Sequence, residues 1–509
     1  MPPLLDDTLR HTVRRYRAPA LPADLDAARA KGAATAIAVA IEHARAALAA
    51  GEAPGDGVKT LFLDALARLI GGAMRPLKEV GADAVEGASD LVGSGGLAGS
   101  GDLAGGGDPA FQAMVLRHRS AVVREYASLS AHAERDRRTV RAAVNALAHP
   151  AKTQRRSPGA TREALLNLHA AGEAGDWTRV SDVITPLRDR PDVREEPLLH
   201  RGLERLLNDS ALRHLQRLDA LSSDDLVTRY RALWDRQGPV AGSEQAAASG
   251  AGAQQRGDAV EALATEALEA LVSRMNAEAG TARYRVATSL RIPPSFPGDA
   301  QRAKSEWDVA LLRRHESSTT GEDWDLCLLI EAKASPDAAT TDLPRLLRGL
   351  RLLAQADVDT SYVFASTDGE IRLRGASLSA LPTEEAELAR AVLYCCDGAE
   401  DRAPRLLNAA SRMQLLSAEA SLEFAVRLED GASVGQVGQL GQLGQVGPVD
   451  PLLLAPVWQL LLEAPAFTSV LRQYVTLRAV RELMVHPSDL LAAVRAVSNL
   501  SNVSNSPDA

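Results

Sequence analysis

The chain has only three cysteines in 509 residues, Cys327, Cys395 and Cys396, and two of these are adjacent. That leaves no disulfide framework and no metal-type cysteine spacing, and it fits a reducing compartment. None of the ten histidines falls in HExxH or another recognisable zinc pattern. Aromatic residues make up 4% and Ala, Arg and Leu dominate, a skew toward helix over strand. No run approaches the roughly 18 uninterrupted apolar residues of a membrane span. The N-terminal MPPLLDDTLRHTVRRYR lacks the apolar core of a signal peptide. The expectation is a soluble, cytoplasmic protein without a membrane partner. A formal net charge of −9 excludes the broadly basic field of a protein that coats nucleic acid, so any such contact is local. Lysine is scarce too, confined to Lys31, Lys59, Lys78, Lys152, Lys304 and Lys333. Arginine serves wherever a generic positive charge will do.

What remains is a globular balance, 46% hydrophobic and 24% charged, in a chain long enough for about three domains. Residues 1–237 read as a mostly helical domain, with apolar residues recurring at three and four positions in AATAIAVAIEHARAALAA and TLFLDALARLIGGAM. A Gly-rich insertion at 93–108 runs into three near-copies of a hexapeptide, GSGGLA, GSGDLA and GGGDPA. No strand precedes it and no Gly-Lys-Ser/Thr follows, so it reads as a flexible loop rather than a phosphate cradle. Phe111 to Arg156 is basic, either a phosphate-tracking helix or a solvated face with internal ion pairs. Ala170 to Ile184 suggests one helix pair of a repeat scaffold, but no second copy follows. Residues 238–256 read as a linker, 257–430 as a second domain, 431–450 as a Gly-Gln repeat linker, and 451–509 as a helical C-terminal element.

The second domain changes character. DAVEALATEALEALVSRMN, from Asp258, has helical periodicity; YRVATSLRI, SEWDVALLRR and WDLCLLIEAKAS then read as three strands. A Leu/Arg-rich helix from Thr341 to Ala356 and a short apolar strand, SYVFAS, come next. Strand alternation puts Glu306, Asp308 and Ala310 on one face of the second strand, and Asp325, Cys327, Leu329, Glu331 and Lys333 on one face of the third. Ionised Glu331 and Lys333 at the end of so apolar a strand are costly to bury unless paired with each other, a metal or a substrate.

This αβββαβ order, with Asp308 on the second strand and Glu331-Ala332-Lys333 ending the third, resembles the PD-(D/E)xK nuclease superfamily over roughly residues 257–367. The resemblance implies a multidomain α + α/β protein: a helical N-terminal region, a restriction endonuclease-like αβββαβ core with a mixed sheet, and a helical C-terminal element. It implies a Mg²⁺- or Mn²⁺-dependent nuclease acting on nucleic acid, DNA before RNA. Asp308, Glu331, the Ala332 carbonyl and the helix-borne Glu261 are its metal ligands, and Asp308, Glu331 and Lys333 its catalytic centre. No Pro precedes Asp308, and the interval from Asp308 to Glu331 is long, with HESSTTGEDWD assigned to a hairpin loop.

The residue types suit that chemistry. A hard cation takes oxygen ligands, polarises phosphate and acidifies water. Lys333 would position or deprotonate that water, or stabilise developing charge. Lysine shifts its pKa when desolvated and arginine does not, which gives weight to a lysine in a lysine-poor chain. Glu306 and Asp325 are alternate ligands, Glu306 flanking the metal from the face of Asp308 and Asp325 reading first as a residue at the strand's solvent end. Trp307 and Trp324 suit base stacking or cross-strand packing, His315 a loop position near substrate or in solvent, and Arg345, Arg348 and Arg351 a phosphate-facing or simply exposed helix face. Two other readings stay open: an inactive nuclease-like scaffold that binds nucleic acid or a partner, and a function carried by the helical N-terminal region through a protein partner.

Overall fold

A computed structural model of the chain describes residues 2–76, 107–237, 244–316, 323–398, 405–437 and 449–504. Among these residues it places seven strands: β1 (Tyr284–Arg291), β2 (Glu306–Arg314), β3 (Asp323–Ala332), β4 (Ser361–Ser366), β5 (Gly369–Arg374), β6 (Val392–Cys395) and β7 (Met484–Val485). β1, β2 and β3 form an antiparallel meander, and β6 lies parallel to the second half of β3, with β7 parallel beyond it. The first half of β3 pairs instead with β5, whose hairpin partner β4 touches β1 at Arg291 and Ala365. Five strands thereby close into a small barrel-like ring, and β6 and β7 extend the sheet from the far half of β3.

Both faces of the meander are apolar because both are covered. Ala310, Leu312, Leu329 and Tyr394 pack with Leu343, Leu346, Leu350 and Leu353 of the crossover helix Pro336–Leu353. On the other face Val309, Leu311, Leu328, Ile330 and Leu393 pack with Val260, Ala264, Leu268 and Leu271 of the long helix Glu244–Ala279. Gly280, at φ +65°, ends that helix in the left-handed conformation a glycine adopts without strain. The Asn276 side chain then holds the turn, accepting from the Arg283 and Tyr284 amides and donating to the Tyr284 carbonyl. The second half of the helix, from Val260 onward, is thereby laid along the meander.

Several expectations need correcting. The strand beside β3 after the crossover helix is β6, not SYVFAS, which became β4 of the inserted hairpin. Four buried residues preceded by a 3₁₀ turn carry too little pattern to be read as a strand. The expected linker at 238–256 is in part helix, since Glu244–Ala279 begins well before Gly257. The helix Glu419–Val437 likewise runs into the expected Gly-Gln spacer. Most of the Gly-rich insertion, most of the Gly-Gln repeat and the tip of the β2–β3 loop lie outside the described residues.

The domain division also differs. One unit comprises Met1–Gly106, Pro239–Phe424 and Gly444–Ala509, the other Gly107–Gly238 and Ala425–Leu443. Leu5 and Leu9 sit in the sheet's own core, and Tyr16 donates to the Cys396 and Gly398 carbonyls, so the first residues belong with the strands. The other unit is helical, built on Ala121–Ala148, whose Val140 and Val144 pack with Leu165, Leu168, Leu212 and Leu215. The basic segment lies here and is ion-paired in part: Arg137 and Arg138 with Glu134, Arg156 with Glu196, Arg119 with Glu429. Among the described residues no single helix is long and apolar enough to cross a membrane. One bent pair, Pro451–Glu463 with Pro465–Leu471, passes the same test by length and composition.

Candidate functional site

Asp308 and Glu331 come together because β2 and β3 are antiparallel and in register through Val309 and Ile330, which places the two acids opposite each other one residue further on. Asp308 Oδ2 accepts from the Ala332 amide at 2.8 Å and fixes the Glu-Ala-Lys backbone against β2. The Lys333 amide donates to the Cys395 carbonyl at 2.8 Å and carries the ladder on to β6. The three expected residues therefore share one site at the strand ends.

Glu331 is fully buried. Its Oε2 receives both Lys333 Nζ at 3.1 Å and Lys304 Nζ at 2.6 Å, while its Oε1 has no hydrogen-bond partner. Burial and the neighbouring Asp308 charge push its carboxyl up to about 8 against the pull of the two lysines. Burial draws Lys333 down, but Glu331, Asp342 and Asp308 outweigh it and hold the ammonium above its ordinary range. Lys333 is thus a charged donor in this state rather than a proton acceptor. Lys304 Nζ also lies 4.0 Å from Asp308 Oδ1, so a single ammonium bridges the two carboxylates.

Three participants had no place among the residues the sequence singled out. Lys304, in the segment between β1 and β2, is 5% exposed. Lysine scarcity, which singled out Lys333, applied to it equally. Asp342, on the crossover helix, approaches Lys333 Nζ at 3.6 Å. Tyr394 of β6 donates to the same Asp342 Oδ2 at 3.3 Å, and burial followed by the Asp342 charge raises its pKa, keeping it protonated. No local motif marks either residue; they depend on the crossover that returns β6 beside β3.

Other expectations fare differently. Burial raises the Glu261 carboxyl, and the nearby charges of Asp308, Asp258 and Glu306 raise it further, so the helix-borne acid does feel the site. Glu306 instead pairs with Arg291 across the ladder at 3.2 Å. Asp325 does not join the site. A bulge opposes Leu311 to Leu328 and Leu312 to Leu326, leaving Cys327 unpaired and breaking the assumed alternation. Asp325 is held by Arg374 at 2.8 Å and Arg313 at 3.1 Å, and His315 bonds Arg374 at 2.7 Å. Trp307 is fully buried and Trp324 lies under Arg285 and Arg314, so neither offers a face for base stacking. Arg348 donates to the Arg302 carbonyl and Arg351 lies 4.0 Å from Glu384; Arg345 is exposed.

Asp308 and Glu331 carry oxygen donors of the kind Mg²⁺ or Mn²⁺ takes, and Glu261 adds a charge that the site feels. The unpartnered, buried Oε1 of Glu331 is the feature that fits such an ion. Among the described residues, though, no group of three or more His, Cys, Asp or Glu is arranged to hold one. Comparison of the chain with family models, curated proteins and solved structures finds no match.

Proposed function

We propose that the chain is a metal-dependent nuclease that hydrolyses phosphodiester bonds, in DNA before RNA, through a restriction endonuclease-like core. The observation that carries this reading is the convergence of Asp308, Glu331 and Lys333, with one oxygen of a fully buried Glu331 left unpartnered. Burying a carboxylate without satisfying it costs several kcal/mol unless a cation or donor arrives in function.

In this reading Asp308 and Glu331 would hold Mg²⁺ or Mn²⁺, assisted by the Ala332 carbonyl and Glu261. When bound, such an ion polarises the phosphate and makes its water a better nucleophile. Lys333 would orient an attacking water and offset charge developing on the phosphate. Asp342, fixed by Tyr394, keeps the Lys333 ammonium charged and aimed. The helical unit would serve recognition of nucleic acid or of a protein partner.

The test is cleavage of plasmid, single-stranded DNA and RNA by the purified chain, with Mg²⁺, Mn²⁺ or excess chelator. Cleavage should require the metal and vanish in Asp308→Ala. Undiminished cleavage in chelator by both proteins removes this reading. A second reading, an inactive nuclease-like scaffold, is favoured by the Lys304 ammonium lying between the carboxylates. It predicts nucleic-acid binding without cleavage in the same assay.

A further inference from the structure

Lys304 is placed with unusual care for a residue outside any strand or helix. Its amide donates to the Arg345 carbonyl at 3.3 Å, and Arg348 Nε binds the carbonyl of Arg302, a residue at φ +59°. Gly349 of the crossover helix lies so close that a Cβ there would be 2.9 Å from Lys304 Cβ and 3.0 Å from its carbonyl oxygen. A strained residue, two hydrogen bonds and a required glycine thus fix the base of the side chain. Its tip ends a flexible four-carbon stem: Nζ sits 2.6 Å from Glu331 Oε2 and at the same time 5.8 Å from the centre of the Trp307 ring, a face that attracts an ammonium released from the carboxylate.

The charge arrangement is lopsided. Lys304 and Lys333 both crowd Oε2 of Glu331, although like charges repel, while Oε1 has no partner. Asp308 is reached by Lys304 only at 4.0 Å. An arginine, with a planar fork, would satisfy both oxygens of a carboxylate, and this chain chooses arginine for most of its 57 basic residues. A compact, movable ammonium stands here instead.

We propose that Lys304 is the resident cation of the Asp308–Glu331 pair and yields that position to a divalent metal ion, its ammonium withdrawing toward Trp307. The inference rests on the metal-dependent reading above. It makes Lys304 a positioning residue that holds the two carboxylates together until the ion enters, and sets how much metal is needed.

Calorimetric titration of Mn²⁺ into the purified chain, Lys304→Met and Lys304→Gln, with thermal melting in chelator and in Mn²⁺, tests it without an activity assay. Removing a competing cation should tighten Mn²⁺ binding by about tenfold, or 1.4 kcal/mol. Both variants should melt below the unmodified chain in chelator and recover in Mn²⁺. Equal or weaker Mn²⁺ affinity in the variants, with clear binding by the unmodified chain, overturns the inference and leaves the metal-dependent reading standing. Variants that stay unfolded in saturating Mn²⁺ also overturn it, since the ion then cannot replace the ammonium. If neither the unmodified chain nor either variant binds Mn²⁺, the metal-dependent reading fails and this inference with it.

Discussion

Asp325 and Glu331 lie on one strand, both buried, and each faces two basic side chains, yet the two ends of β3 are built for different ends. Asp325 receives Arg374 on one oxygen and Arg313 on the other. Its charge is closed on both sides by planar guanidinium groups, with His315 bracing one of them. Glu331 receives two lysines on a single oxygen and nothing on the other. Arginine closes a buried carboxylate; lysine leaves it open. The contrast marks the first cluster as a fold element and the second as a place where another charge can enter.

The largest expected effect is at the open end. Asp308→Ala should abolish cleavage, and Lys333→Arg should lower it by about 10²–10³-fold, the usual weight of one positioned donor to developing charge, because a bulkier planar guanidinium cannot take the place of the compact ammonium, while the fold is kept. If Lys333 only balanced Glu331, arginine would substitute well, since it pairs with carboxylate at least as favourably. A folded Lys333→Arg variant with near-native cleavage would erase the distinction between the two ends. At the closed end, Arg374→Ala should act on stability alone. It leaves buried Asp325 with a single arginine, Arg313, at a cost of about 1–3 kcal/mol, read as a lowered melting temperature with metal affinity unchanged.

How far this contrast was legible depends on what sets it. Meander, long helix and crossover helix were readable because periods of two and of three to four change sharply near Tyr284 and again after Ala334. The proximity of Asp308 and Glu331 needed only antiparallel pairing. Asp325 was misplaced because one extra residue at Cys327 reverses every later side chain, and a bulge leaves no mark in the run Leu-Cys-Leu-Leu-Ile. Asp342 and Tyr394 were invisible for another reason: they reach Lys333 from separate elements, and that meeting is a property of the crossover. The N-terminal helices looked like one domain with the helices of Gly107–Gly238 because a helical pattern does not say which core it faces; Leu5 and Leu9 belong beneath the sheet.

The pH dependence sharpens the same comparison at a smaller scale. Glu331, with a carboxyl raised from 4.5 to about 8, holds its proton in the fold at pH values where the unfolded chain has lost it. Its contribution is therefore fully present below about 4.5 and is lost as pH rises toward 8. In chelator the melting temperature of the unmodified chain should decline over this window relative to Glu331→Gln, which carries no titrating group there. Added Mn²⁺ should flatten the difference by supplying the missing positive charge. Parallel curves in chelator would mean that the two lysines already satisfy Glu331 as fully as the arginines satisfy Asp325.

The smallest effect should come from Glu261, which contributes charge to the site from the long helix. Its carboxyl is raised by burial and by Asp308, Asp258 and Glu306, with Lys304 opposing. In the metal-free protein its negative charge therefore adds repulsion to a site already short of cations. Glu261→Gln keeps the shape and removes that charge, so it should raise stability slightly in chelator. If Glu261 also supplies an oxygen to the ion, the same change should weaken Mn²⁺ binding. Opposite signs on the two readouts are the distinguishing result, because a residue that merely packs the helix against the sheet would lose stability and leave affinity untouched. Melting in chelator and calorimetric titration of one variant decide it, and loss of stability with unaltered Mn²⁺ affinity would remove Glu261 from the ligand set and leave Asp308 and Glu331 to define the site.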